Sequence, residues 1–94
     1  MFKLSNKASD DLDGILDYSI INFGLELTIS YHQSLEKCFE MLDTNPDLGT
    51  TIESIRPDYL YFGHRSHSIF YKKTKNDILI VRLLHKSMDV PQHL

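Results

Sequence analysis

The residues best suited to chemistry cluster late in the chain, in and around "GHRSHSIFYKK" and "RLLHKSMDVPQHL". His85 ends an apolar run, and its near-neutral ordinary pKa would let it act as acid or base. Arg65 and Arg82 could hold a phosphate as charge builds on it, and Glu53 could take or return a proton. Glu53, Arg65, Arg82 and His85 thus make a candidate set for phosphodiester cleavage, but a thin one. Glu53 falls in a segment without a periodic signal, and the chain carries a net charge of −3. A nuclease gains from positive charge that neutralises phosphates. The other reading makes His85 a strand-end imidazole that hydrogen-bonds the backbone of the tail, which then serves as a handle for another protein. Five histidines invite a zinc site. None has the helical spacing of a ligand pair, and Cys38 is the sole cysteine, so no metal and no cofactor is expected.

Charge is divided unevenly. Residues 1–54 carry ten acids against three bases, net −7; residues 55–94 carry seven bases against three acids, net +4. Two oppositely charged halves suit two different partners. Ninety-four residues make one domain, 1–94, with one modest core. No apolar run reaches the length of a membrane span, and "MFKLSNKASDD" has no secretory h-region, so the expected location is the cytoplasm, with no membrane contact. Cys38 sits among apolar residues and reads as core packing.

The elements that must position these residues change period midway. "FKLS" is a short opening strand. Ser5 or Asn6 can cap a helix, and Asp10, Asp11 and Asp13 follow early, where the helix dipole favours acids. Ala8, Leu12, Ile15 and Leu16 recur at helical spacing, with Ile20 and Phe23 widening the face; Gly24 ends the helix. Leu27, Tyr31, Leu35, Cys38 and Leu42, with Phe39 alongside, form a second helical stripe to about Asp43, broken by "NPDLG". Then "DYLYFGH", "SHSIFYKK" and "ILIVRLLH" read as strands joined by short gaps, hence antiparallel hairpins, the last apolar on both faces and so central. The expected fold is α+β in the order β-α-α-β-β-β: a helical hairpin on one face of a small, mostly antiparallel sheet. Tyr59, Tyr61, Phe62, Phe70 and Tyr71 read as core or cross-strand pairs, and Lys72, Lys73 and Lys75 as a basic hairpin tip. Asp89 can cap a last short turn, with Pro91 at a position that a helix start tolerates.

This order of elements, with "NPDLG", "YLYFGHRSHSIFYKK" and "ILIVRLLHKSMDVPQHL", resembles the ParE branch of the RelE/ParE toxin superfamily over almost the whole chain. The resemblance implies the toxin of a type II toxin–antitoxin system. It would not be an enzyme: it would bind DNA gyrase, at its A subunit, and block replication. On that implication Lys86, Met88, Asp89, His93 and Leu94, with Arg65, are candidates for the gyrase contact. A ParD-like antitoxin would fold onto an apolar groove with a charged rim, to which Phe23, Leu27 and Tyr31 could contribute. A toxin–antitoxin hetero-oligomer and a toxin dimer fit the same picture, without sequence-specific nucleic-acid contact. Two alternatives remain open at this point: a ribosome-dependent messenger-RNA interferase of the RelE type, and an inactive homologue that only binds an antitoxin.

Overall fold

The computed structural model describes residues 1–52 and 54–94. Glu53, one of the candidate nuclease residues, lies outside them. The first strand, β1 (Lys3–Leu4), leads into helix α1 (Asn6–Phe23). Ser5 caps α1, its hydroxyl accepting the Ala8 N–H at 3.0 Å and donating to the Val81 carbonyl at 2.8 Å. The same side chain therefore starts the helix and fastens it to the sheet. Gly24 stands between the helices at φ 88°, a conformation that glycine adopts without steric cost, and α2 (Leu25–Thr44) runs back. A 3₁₀ turn (Pro46–Leu48) and a two-residue strand, β2 (Thr50–Thr51), follow. Strands β3 (Tyr59–His64), β4 (His67–Lys73) and β5 (Ile78–His85) lead to a short terminal helix, α3 (Val90–His93).

The sheet order is β1-β5-β4-β3-β2, with β1 parallel to β5 and the remaining pairs antiparallel. The expected hairpin-on-sheet plan is what forms, and β5 is interior as its apolar character requires. Strand β2 is an addition, and the last short turn expected around Pro91 forms as helix α3. The core between hairpin and sheet contains Ala8, Leu12, Leu35, Cys38, Phe39 and Leu42 from the helices and Leu60, Ile69, Tyr71, Ile78, Ile80 and Leu83 from the strands. Cys38 is buried there. Tyr71 closes the base of the core: its hydroxyl donates to the Pro46 carbonyl at 2.6 Å and accepts the Gly49 N–H at 2.9 Å. Gly49 keeps this approach open, since a Cβ there would stand 2.4 Å from that hydroxyl and 2.9 Å from the Tyr61 carbonyl, so that one of them would have to shift.

Two details of α1 and α2 depart from the sequence reading. The first turn of α1 holds no acid, because the helix starts at Asn6 and Asp10, Asp11 and Asp13 fall in the second turn or beyond. The apolar stripes also outrun the core. Ile20, Phe23 and Leu27 are exposed at 46%, 60% and 61%, because the tip of the hairpin extends past what the sheet covers. A buried polar pair holds that tip together: Thr28 Oγ1 lies 2.8 Å from both Ser19 Oγ and the Gly24 carbonyl.

Candidate functional site

A groove of about 880 Å³ runs between the helical hairpin and one end of the sheet. Asp10, Asp11, Gly14, Ile15 and Tyr18 of α1 line one side, and Leu27, Ser30 and Tyr31 of α2, with Phe23 at the tip, line the other. The sheet contributes Arg65, His67, Leu83 and His85, and the start of the tail adds Ser87 and Met88. Its apolar lining is unusually bare for a small domain: Tyr18, Phe23, Leu27 and Met88 are all at least 45% exposed.

The groove unites two sets that the sequence kept apart. Phe23, Leu27 and Tyr31, expected to hold an antitoxin, share one concavity with Arg65 and Met88, expected to touch a target. Lys86 sits on the opposite face of the sheet, its ammonium over Gly63. Asp89 stands at the start of α3 without a side-chain capping bond, so its expected cap does not form. The His93 carbonyl accepts from Arg82 at 2.9 Å, and the Leu94 carbonyl accepts from Arg56. These bonds pin the end of the tail to β5 and to the connection that precedes β3. The six gyrase candidates are therefore not one patch, but a groove pair and a separate tail.

Arg82 is the candidate whose surroundings say most. On β5, Phe70 pairs with Arg82 and Tyr71 with Ile80, which leaves Val81 as a bulge residue. Strand β1 ends at Leu4, so β5 has an open edge beyond Ile80. Asp11 fills that edge from α1. Its carboxylate accepts Arg82 Nε at 2.7 Å, Arg82 Nη2 at 2.9 Å and the Leu83 N–H at 3.0 Å. Both side chains are less than a fifth exposed, and the pairing holds the guanidinium pKa above its ordinary value. With its fork taken by Asp11 and another N–H by His93, Arg82 is a structural tie rather than a free phosphate clamp.

Register places three histidines in a row across the sheet, His64 opposite His67 and His67 opposite His85. Sequence spacing does not reveal this row; it becomes legible only when the strands are paired. His64 Nε2 lies 2.7 Å from Ser34 Oγ, and His67 Nδ1 lies 2.7 Å from Tyr31 Oη. The His67 and His85 rings meet edge to face, 5.5 Å apart. Burial pushes His64 and His67 below the ordinary histidine range, and nearby cationic groups push the same way, Arg65 and Lys86 at His64 and the other two histidines at His67. Burial likewise raises the Tyr31 phenol, against the opposing pull of Arg65. The backbone N–H of Ser87 donates to His85 Nδ1 at 3.1 Å, the tail-backbone bond expected of that imidazole. Since an N–H can only donate, the neutral His85 ring carries its proton on Nε2. No cluster of three or more potential metal ligands forms among the described residues.

The model of the "ParE toxin of type II toxin-antitoxin system, parDE" family matches residues 2–90. The chain belongs to the ParE toxin family. Among individual proteins, it is 34% identical to Toxin ParE1 of Caulobacter vibrioides over 93 residues, spanning 99% of this chain and 96% of that one. It is 32% identical to Toxin ParE1 of Mycobacterium tuberculosis over 94 residues, again spanning 99% and 96%. A solved chain described as the chromosomal ParDE TA system from P. aeruginosa shares the fold, with a TM-score of 0.76 and 23% identity over 89% of this chain and 92% of that one. The toxin is thus an α+β protein of the ParE type, and gyrase inhibition is the known activity of that family. No helix among the described residues is long and apolar enough to cross a membrane.

Proposed function

We propose that this toxin acts by binding and not by catalysis: it docks on DNA gyrase, at the A subunit, stalls strand passage, and is neutralised in the cytoplasm by a ParD-like antitoxin. The observation that carries this reading is the groove, where Tyr18, Phe23, Leu27 and Met88 leave an apolar surface uncovered beside a cationic sheet end. Such a surface suits an amphipathic segment that folds as it binds. The engagement of Arg82 by Asp11 and His93 supports it too, since it takes one cation out of the candidate nuclease set. Met88 and the tail Val90–Leu94 are the assigned gyrase contact, and Phe23, Leu27 and Tyr31 the assigned antitoxin contact.

The purified toxin should inhibit gyrase supercoiling, and a variant lacking Val90–Leu94 should inhibit far less while keeping its helical circular-dichroism signal. A truncation as potent as the full chain would remove the tail from the mechanism. Leu27→Asp should abolish antitoxin capture without unfolding the protein, because Leu27 is exposed.

A second reading, ribosome-dependent cleavage of messenger RNA, draws on one observation. Arg65, His67 and His85 share one end of the groove, a cation beside two imidazoles. Cleavage of ribosome-bound message by the toxin, lost in His85→Ala while supercoiling stays untouched, would favour it over gyrase binding.

A further inference from the structure

We propose that Arg65, with His67 and His85, forms a seat for one carboxylate carried by the antitoxin segment, which fixes the direction in which that segment crosses the groove. The inference rests on the reading that an antitoxin fills the groove, and adds to it a ligand group and an orientation.

Arg65 opens the two-residue loop between β3 and β4, at φ 53°. Positive φ at that position is the province of glycine or asparagine, and a bulky residue held there is strained by roughly 1 kcal/mol or more. The fold tolerates this cost and so presents a guanidinium at the mouth of the groove. Its carbon lies 5.7 Å from the centre of the Tyr31 ring, a cation–π contact that holds the group near the groove without neutralising its charge. Among the described residues no carboxylate pairs with Arg65, whereas Arg82 is fully matched by Asp11.

The imidazoles complete the seat. His85 directs its Nδ1 to Ser87, which leaves Nε2–H as a donor on an exposed ring. His67 directs its Nδ1 to Tyr31, and no bond engages its Nε2 among the described residues. With the Tyr31 hydroxyl donating to its Nδ1, His67 also presents an Nε2–H, so a fork of N–H donors and two ring N–H groups lining one groove suit the two oxygens of a carboxylate. Asp10 and Asp11 line the α1 side of the same groove, and Asp11 is already occupied by Arg82. The groove is therefore polar across its width, positive at the sheet turn and negative at α1. An amphipathic segment lies in it with an acid towards Arg65, a base towards Asp10, and its apolar face on Tyr18, Phe23, Leu27 and Met88.

The test is a double-mutant cycle by calorimetric titration, using the full-length toxin and a synthetic peptide spanning the C-terminal segment of its ParD-type antitoxin. Arg65→Asn removes the guanidinium and suits the positive φ, so it should fold normally; Arg65→Lys keeps the charge but loses the fork. Each acidic residue of the peptide is changed in turn to its amide. Arg65→Asn is expected to weaken binding about 10- to 100-fold, Arg65→Lys less, and one amide peptide should show no further loss with Arg65→Asn. If every amide peptide loses the same factor on both toxins, while Leu27→Asp abolishes binding, the carboxylate seat is wrong and the groove reading stands. If Leu27→Asp also binds normally, the groove reading falls and the seat falls with it.

Discussion

Asp11→Ala tests the claim that a helix side chain completes an unfinished sheet edge. The Asp11 carboxylate meets Arg82 through two bonds, at 2.7 and 2.9 Å, and the Leu83 N–H at 3.0 Å. Breaking a fully buried ion pair by removing one partner costs roughly 3–5 kcal/mol. These side chains are 17% and 18% exposed, so water offsets part of that penalty. The Leu83 N–H then loses its acceptor as well, worth about 1 kcal/mol. Together these give about 2–4 kcal/mol, against a total stability of about 5–14 kcal/mol for a domain of this length. At about 5 °C per kcal/mol, the melting temperature should fall by about 10–20 °C. Thermal melts followed by circular dichroism at neutral pH measure this, with Asp13→Ala as the exposed control. Adding Arg82→Met to Asp11→Ala should recover at least about 1 kcal/mol, because it withdraws the uncompensated charge. An Asp11→Ala protein that melts within about 3 °C of the Asp13→Ala control would refute the edge argument.

Gly49→Ala should destabilise by about 1–3 kcal/mol through overpacking, since the new methyl must displace the enclosed Tyr71 hydroxyl or the Tyr61 backbone; urea titration reads the loss, and an unchanged midpoint would exclude the close approach. Acid should also weaken the fold. His64 and His67 titrate lower folded than unfolded, so the unfolded chain binds more protons once pH drops below the ordinary histidine value of about 6.5. Their contribution is complete above that pH and declines as pH falls towards the folded values. Melting temperatures measured between pH 7.5 and 5.5 should fall, and the double variant His64→Gln, His67→Gln should flatten the profile; an equally steep profile in that variant would refute the assignment to these two histidines.

The elements were legible wherever a period was long enough to speak. Ala8, Leu12, Leu35, Cys38 and Leu42 repeat at helical spacing and are buried; the run from Ile78 to His85 is apolar on both faces and lies inside the sheet. Gly24 and Ser5 mark helix boundaries for reasons that act within a few residues. What could not be read is what depends on distant pairing. Thr50 and Thr51 are too short a run to signal a strand, and exist as one only because β3 offers its edge. The histidine row needs the register of three strands, and the role of Asp11 needs the end of β1 and the bulge at Val81. Ile20, Phe23 and Leu27 show the limit most directly. An apolar stripe states that a helix face avoids water, but not whether the chain itself or another protein covers it.

Two arginines make the same distinction in terms of charge. Arg65 and Arg82 are alike in sequence, each beside a candidate histidine-bearing strand end, and each a fair choice for a phosphate ligand. Arg82 is held below a fifth exposure, with a bidentate carboxylate and a carbonyl taking its donors, so its charge is committed to joining α1, β5 and the tail. Arg65 stands on a backbone conformation that disfavours it, against an aromatic ring and with no carboxylate paired to it among the described residues. A folded domain has no need of the second arrangement, since a glycine would relax the turn. The strain is explained if the guanidinium meets its counter-charge on another molecule, and the apolar residues that share its groove suit a protein segment in that role.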